Sequence, residues 1–272
     1  GASVFTGSVP PGGLLEIPLD WVTGQSFAIP EGSWSSIAMA NGAYRLRSDR
    51  PVTVSQFNPF EYAVSTGGGG GGGGTTAYSY TNDATLLLPA HVLTGDYVGL
   101  SYVPFSRAVA ATTPFPSAPT YGKYPGYVAI VGINPDPTHV QVTVAGHVAG
   151  EASGKFPTTG RGGILDFTVA RGEVVHIAAD MPPDCVSGRP GFNSEEICDS
   201  GSCMSFDTCR EVDFDLTGTR ISADRPVAVF GGHVCAYVPY TSQACDHLEV
   251  QLAPIQTWGL GYVSAPMARL RS

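Results

Sequence analysis

Charge is sparse in this sequence: Asp, Glu, Lys and Arg make up 14% of its 272 residues, well under the usual quarter. Lys and Glu, good formers of exposed helix, are rare, and no stretch combines helical periodicity with caps. That excludes a helical bundle. No run approaches the roughly 18 apolar residues of a membrane-crossing helix, so no membrane span is expected. The net charge of −9 leaves no basic face to displace counterions, which excludes a nucleic-acid partner. The opening Gly1-Ala2-Ser3-Val4-Phe5 lacks the basic and apolar regions of a secretion signal; in an exported protein that signal is removed or lies outside this chain. Catalytic motifs are missing as well. There is no Gly-x-Ser-x-Gly elbow, His-Glu-x-x-His helix or P-loop. Gly12-Gly13, Gly67–Gly74 and Gly162-Gly163 lack the strand–turn–helix setting of a phosphate cradle. His91, His139, His147 and His176 fall in separate segments with no shared pattern. A triad assembled by folding ignores sequence order, but nothing here points to one. The expectation is a protein that is not an enzyme.

What is present is apolar and rich in turn-formers. Hydrophobic residues reach 43%, with 35 Gly and 22 Pro. Period-two alternation marks strands at Leu14–Leu19, Val52–Phe57, Val140–Val144, Ile164–Val169 and Val174–Ile177. Between them lie the turn signals Pro11-Gly12-Gly13, Asn41-Gly42, Asn134-Pro135-Asp136-Pro137 and Arg171-Gly172. These features predict an all-β fold.

An internal repeat organises the chain. Asp49-Arg50-Pro51-Val52-Thr53-Val54 returns as Asp224-Arg225-Pro226-Val227-Ala228-Val229, each after a β-like segment. Leu87-Leu88-Pro89 with Tyr97-Val98 is echoed by Leu252-Ala253-Pro254 with Tyr262-Val263. Upstream, Val9 to Ile17 is echoed by Val169 to Ile177. Three matches in one order predict two related sandwich-like units, residues 1–125 and 126–272. The first carries the octaglycine 67–74, read as a flexible loop tip within a hairpin. The second carries a Cys-rich insert, 184–210, read as a surface loop. Strands at 127–133 and 140–144 have no counterpart before Gly12, and the sequence stops soon after Val263. The expectation is a piece of a longer protein, or a subunit whose missing strands come from a neighbour.

All six cysteines lie in the last third: Cys185, Cys198, Cys203, Cys209, Cys235 and Cys245. An even number in loop-like sequence predicts disulfides and an oxidising compartment. His233-x-Cys235 and Cys245-x-His247 could form a tetrahedral zinc site, yet the tight Cys-x-x-Cys spacing is absent. A Cys235–Cys245 disulfide is the favoured reading. For the other four, Cys198 with Cys203 would close a very small loop. That leaves Cys185–Cys198 with Cys203–Cys209, or a nested Cys185–Cys209, as candidates. The insert is acidic, with Asp184, Glu195, Glu196, Asp199 and Asp207. Calcium is possible there, but EF-hand spacing is missing and a solvated acidic loop is favoured. Otherwise no cofactor is expected.

Aromatic residues flank the glycine run, with Phe57, Phe60 and Tyr62 before it and Tyr78 and Tyr80 after it; Tyr121, Tyr124 and Tyr127 form a second group. Phe60, Tyr62, Tyr78, Tyr80, Tyr121 and Tyr124 are candidate ligand-binding residues, since exposed tyrosines give large contact area at low entropic cost. The alternative is that they cover sheet edges. Asp49-Arg50 and Asp224-Arg225, recurring at equivalent positions, predict hydrogen-bonded turns rather than an acid–base pair.

The segment Arg225–Ala236, then Cys245-Asp246-His247-Leu248, Gln251-Leu252-Ala253-Pro254, Trp258-Gly259 and Tyr262-Val263, resembles the IgGFc-binding-like domain family. That domain type stands at the N-terminus of IgGFc-binding protein and in bacterial surface proteins. The resemblance runs from about residue 40 onward. It implies a secreted or cell-surface, non-enzymatic module for adhesion or structure, and it supports the Cys235–Cys245 bond. Its partners would be an extracellular protein or glycan, or copies of itself through strand donation. A carbohydrate-binding module is the first rival, and a metal-dependent extracellular hydrolase the second.

Overall fold

The structure is a computed structural model that describes residues 4–20, 35–57, 63–65, 76–78, 83–181, 185–189, 191–236, 238 and 246–264. Strands are numbered in chain order. One sheet orders β1 (Ile37–Met39), β12 (Val174–Ala178), β9 (Gly126–Gly132), β16 (Val227–Ala236) and β17 (Asp246–Gln251). A second orders β11 (Ile164–Val169), β10 (Thr138–Thr143), β15 (Arg220–Ala223) and β6 (Asp96–Val98). A third orders β13 (Phe192–Asp199), β14 (Ser202–Arg210), β7 (Phe105–Thr113) and β8 (Thr120–Tyr124). Two strand pairs complete the set, β2 (Val54–Phe57) with β5 (Ala84–Leu87), and β3 (Ala63–Ser65) with β4 (Thr76–Tyr78). Every ladder is antiparallel. Among the described residues helix is confined to short 3-10 turns, including Ala90–Val92 and Ile255–Thr257. The fold is all-β, as its sequence predicts.

The first two sheets pack face to face as a sandwich. Alternation decides which residues enter it. Val140 and Val142 of β10 oppose Phe167 and Leu165 of β11, and all four are buried, while Gln141 and Asp166 point to water. Val128 and Ile130 of β9, Val175 and Ile177 of β12, and Val227 and Val229 of β16 meet them from the other sheet. β9 and most of β16 are buried on both faces, so their sequences run continuously apolar instead of alternating. Strands from both halves of the chain share these sheets: β1 lies beside β12, and β6 beside β15. β6 enters as an edge strand whose Tyr97 ring fills the core and whose hydroxyl donates to Val227 O at 2.7 Å.

Two expectations change. Leu14–Leu19 forms no strand, because its alternation finds no ladder partner among the described residues. The insert 184–210 is mostly a β-hairpin, not an irregular loop. Ser200 and Gly201 both adopt positive φ, 48° and 87°, which gives the two-residue turn that matches strand twist. Cys198 and Cys203 then face each other across the strands with Cα atoms 4.0 Å apart and are bonded. Cys185–Cys209 closes the hairpin's base, beside the Arg189–Glu211 ion pair at 3.0 Å. The pairing is therefore the nested one. The small-loop objection fails because a tight hairpin places such neighbours directly opposite each other in the ladder. The octaglycine 67–74 lies outside the described residues.

Candidate functional site

Along β17 the chain gathers ionisable side chains from distant positions. Gly232 of β16 leaves room for this, since a Cβ there would strike Leu248 O and come within 2.7 Å of the Tyr127 hydroxyl. Tyr127, from β9, is buried under β17. Its hydroxyl lies 2.9 Å from His247 Nε2, 3.1 Å from Leu248 O and 3.2 Å from Glu249 Oε2. The pattern is satisfied when His247 Nε2–H donates to the phenolic oxygen, which shares its single proton between the Leu248 carbonyl and the Glu249 carboxylate. Gln56 Nε2 donates to Glu249 Oε1 at 2.6 Å, and Glu249 N–H donates to Asp83 Oδ2 at 2.6 Å. The β2–β5 pair is held against β17 by these bonds and by Gln251 N–H donating to Thr85 Oγ1 at 2.9 Å. The His176 ring packs on the Tyr127 ring, with centroids 4.2 Å apart.

Burial sets the protonation of this group. Desolvation raises the Tyr127 phenol well above its ordinary value, with the Glu249 charge adding to it. Desolvation also raises Glu249 and Asp83. It lowers His176 to about 3, helped by His247, and lowers His247 to about 4. At neutral pH the cluster holds neutral imidazoles and a neutral phenol. It contains no activated nucleophile. Beside it, Asp83, Leu100, Ser101, Tyr102, Gly232 and Glu249 line a shallow cleft of about 290 Å³. Ser101 Oγ is directed at the carbonyls of Tyr102 and Gly232, each 3.3 Å away. The chemistry these residues perform is a tie between β9, β17 and the β2–β5 pair.

His233 sits apart from that network. It is fully buried, stacked on Phe105 at 5.3 Å and edge-on to Tyr102 at 5.7 Å, and its Nδ1 accepts the Cys235 N–H at 3.1 Å. Cys235 is disulfide-bonded, which consumes the thiolate a zinc ion would require; Cys245, its expected partner, lies outside the described residues. His233 and His247 thus serve different neighbours. Among the described residues no three His, Cys, Asp or Glu side chains stand where they could hold an ion. In the insert, Asp207 accepts from Ser194 and Glu196 from Thr112.

The aromatic candidates divide. Phe60, Tyr62 and Tyr80 lie outside the described residues, and for Tyr78 only the backbone is described. Phe57 and Tyr121 are exposed. Tyr124 is half-buried and stacks on Phe105 at 4.7 Å. Tyr127, grouped with the surface tyrosines from its sequence neighbours, belongs to the interior. Asp224 Oδ1 accepts the His139 N–H at 2.9 Å and Arg225 pairs with Asp136 at 2.8 Å, so these side chains tie the turn to the β9–β10 connection and the start of β10 and not to its own neighbours in sequence.

Tyr127→Phe is expected to destabilise the fold by about 2 kcal/mol, because it strands buried partners that keep their desolvation penalty. Urea unfolding measures this, and a negligible loss would show that the cluster is not a structural tie.

The family model described as IgGFc binding protein matches residues 83–272, a span that begins at Asp83 and contains every strand from β5 to β17. The human IgGFc-binding protein is 43% identical over 54 residues, a stretch covering 20% of this chain and 1% of the human protein. The chain therefore corresponds to a very small part of that relative. No solved structure matches the chain. With most of its length, including the insert and every sandwich strand except β1, inside the matched region, the chain belongs to the IgGFc-binding protein family.

Proposed function

We propose that this chain works outside the cell as a non-enzymatic module that binds other extracellular proteins, in adhesion or in the assembly of a surface structure. One observation carries the reading: the ionisable cluster is spent on holding strands together, while Leu100, Trp258, Leu260, Tyr262 and Val263 stand exposed. Buried polar groups that satisfy each other stabilise, whereas large apolar groups left in water mark contact surfaces. Two disulfides among the described residues, with Cys235 also bonded, support an oxidising compartment. Membership of the family supports a binding role. In this reading residues 1–125 and 126–272 are related units that exchange strands, and no cofactor is required.

The test is surface-immobilised chain exposed to purified matrix proteins, mucin and IgG Fc, with a glycan array in parallel. Saturable binding to a protein partner with a silent array is the expected result. Binding to the array alone would replace this reading with a carbohydrate-binding module.

A further inference from the structure

Two segments of the chain share a design and differ in what covers them. After β5, Pro89 (φ −67°, ψ 144°) opens the 3-10 turn Ala90–Val92, which closes on Leu93 (φ −76°, ψ 146°). After β17, Pro254 (φ −63°, ψ 150°) opens the turn Ile255–Thr257, which closes on Trp258 (φ −70°, ψ 136°). Tyr97 and Tyr262 each follow their proline by eight residues. In both, the N–H three residues before the tyrosine donates to its phenolic oxygen: Thr94 at 3.4 Å and Gly259 at 2.7 Å. There the likeness ends. Tyr97 is 1% exposed in the sandwich core, whereas Tyr262 is 79% and Val263 102% exposed.

What receives Tyr97 is the stretch Arg220–Val227, with Ile221 beside it in the ladder and Val227 O accepting its hydroxyl. Its sequence counterpart is Arg45–Val52, which repeats Asp-Arg-Pro-Val. There Leu46 and Val52 are 51% and 45% exposed, in place of the buried Ile221 and Val227. Neither Arg45–Val52 nor Trp258–Val263 takes part in a ladder. Among the described residues, a segment built like the edge strand β6 thus lacks a receiver, and a segment built like that strand's receiver lacks an edge strand.

We infer that Trp258–Val263 of one copy docks as an edge strand beside Arg45–Val52 of a second copy, as β6 docks beside β15 within the chain. Donor and receiver are different surfaces, so the contact is heterologous and propagates head to tail. The apolar side chains leave water, and the backbone groups of both edges gain partners. This rests on the module reading above and names its partner as the chain itself.

Sedimentation velocity on the full chain from micromolar to millimolar concentration tests it. Wild type is expected to grow in mass without limit as concentration rises. Tyr262→Asp and Leu46→Asp are each expected to stay monomeric with unchanged circular dichroism, since both side chains are exposed. Mixing the two variants restores a one-to-one dimer that grows no further, because one keeps the donor and the other the receiver. A wild type that stays monomeric, or a mixture that does not dimerise, overturns the inference. If that monomeric protein still binds the protein panel, strand donation fails while the module reading survives.

Discussion

Removing the Cys185–Cys209 bond by the double change Cys185→Ala, Cys209→Ala is expected to lower unfolding stability by about 3 kcal/mol. The bond closes a sequence separation of 24 residues and both sulfurs are buried at the base of the β13–β14 hairpin. Cys198–Cys203 spans a separation of only 5 at the exposed tip. Loop-closure entropy grows with the logarithm of loop length, so the tip bond is expected to contribute less, about 2 kcal/mol. The base also positions the third sheet. β14 pairs along β7 from Cys203–Thr113 to Arg210–Phe105, and Phe105 stacks on both Tyr124 and His233. Loosening the base therefore reaches the main sandwich, whereas loosening the tip does not. Chemical denaturation of the two double variants decides it. Equal losses, or a larger loss at the tip, would show that the hairpin is held by its ladder and not by its anchor.

The hairpin also shows where sequence reading stops. Strands β10 and β11 are legible because each alternates along its own length, and one buried face is enough to impose that pattern. β13 and β14 hide behind their acidic and hydroxyl residues, which sit on a sheet with little apolar cover. The signal that could have exposed them is the Ser200-Gly201 pair centred between Cys198 and Cys203. Leu14–Leu19 is the converse case, since alternation without a partner edge yields no strand. The Tyr127 cluster was out of reach for another reason. Tyr127 and Glu249 are 122 residues apart, and a contact of that range leaves no trace in either neighbourhood. His233 and His247, conspicuous in the sequence for their spacing to Cys235 and Cys245, share burial.

That shared burial makes the fold acid-sensitive. Desolvation lowers His233 to about 3, and His176 and His247 fall to about 3 and 4. In the unfolded chain each titrates near its ordinary 6.5. A histidine with a depressed folded pKa stabilises fully above the unfolded value. Below it the unfolded state takes up protons that the folded state refuses, and stability falls until the folded pKa is reached. The window therefore runs from about pH 6.5 down to about 4 for His247 and to about 3 for His176 and His233. At pH 5 the fully buried His233 alone accounts for a loss of about 2 kcal/mol. His176 and His247 keep part of their surface open, and together they add a comparable amount, about 2 kcal/mol. Glu249 and Asp83 act in the opposite sense. Their raised pKa values make the folded state bind protons first, which stabilises as pH falls through that range. The histidine shifts are the larger, so acid wins. Urea unfolding at pH 7.5 and pH 5 is expected to show a loss of about 4 kcal/mol, before the carboxylates offset part of it. His233→Phe, which keeps the stack on Phe105, is expected to flatten the slope by about one proton over this window. A stability that is level or rising toward pH 5 would mean that the imidazoles take up protons in the fold, held there by hydrogen-bond acceptors.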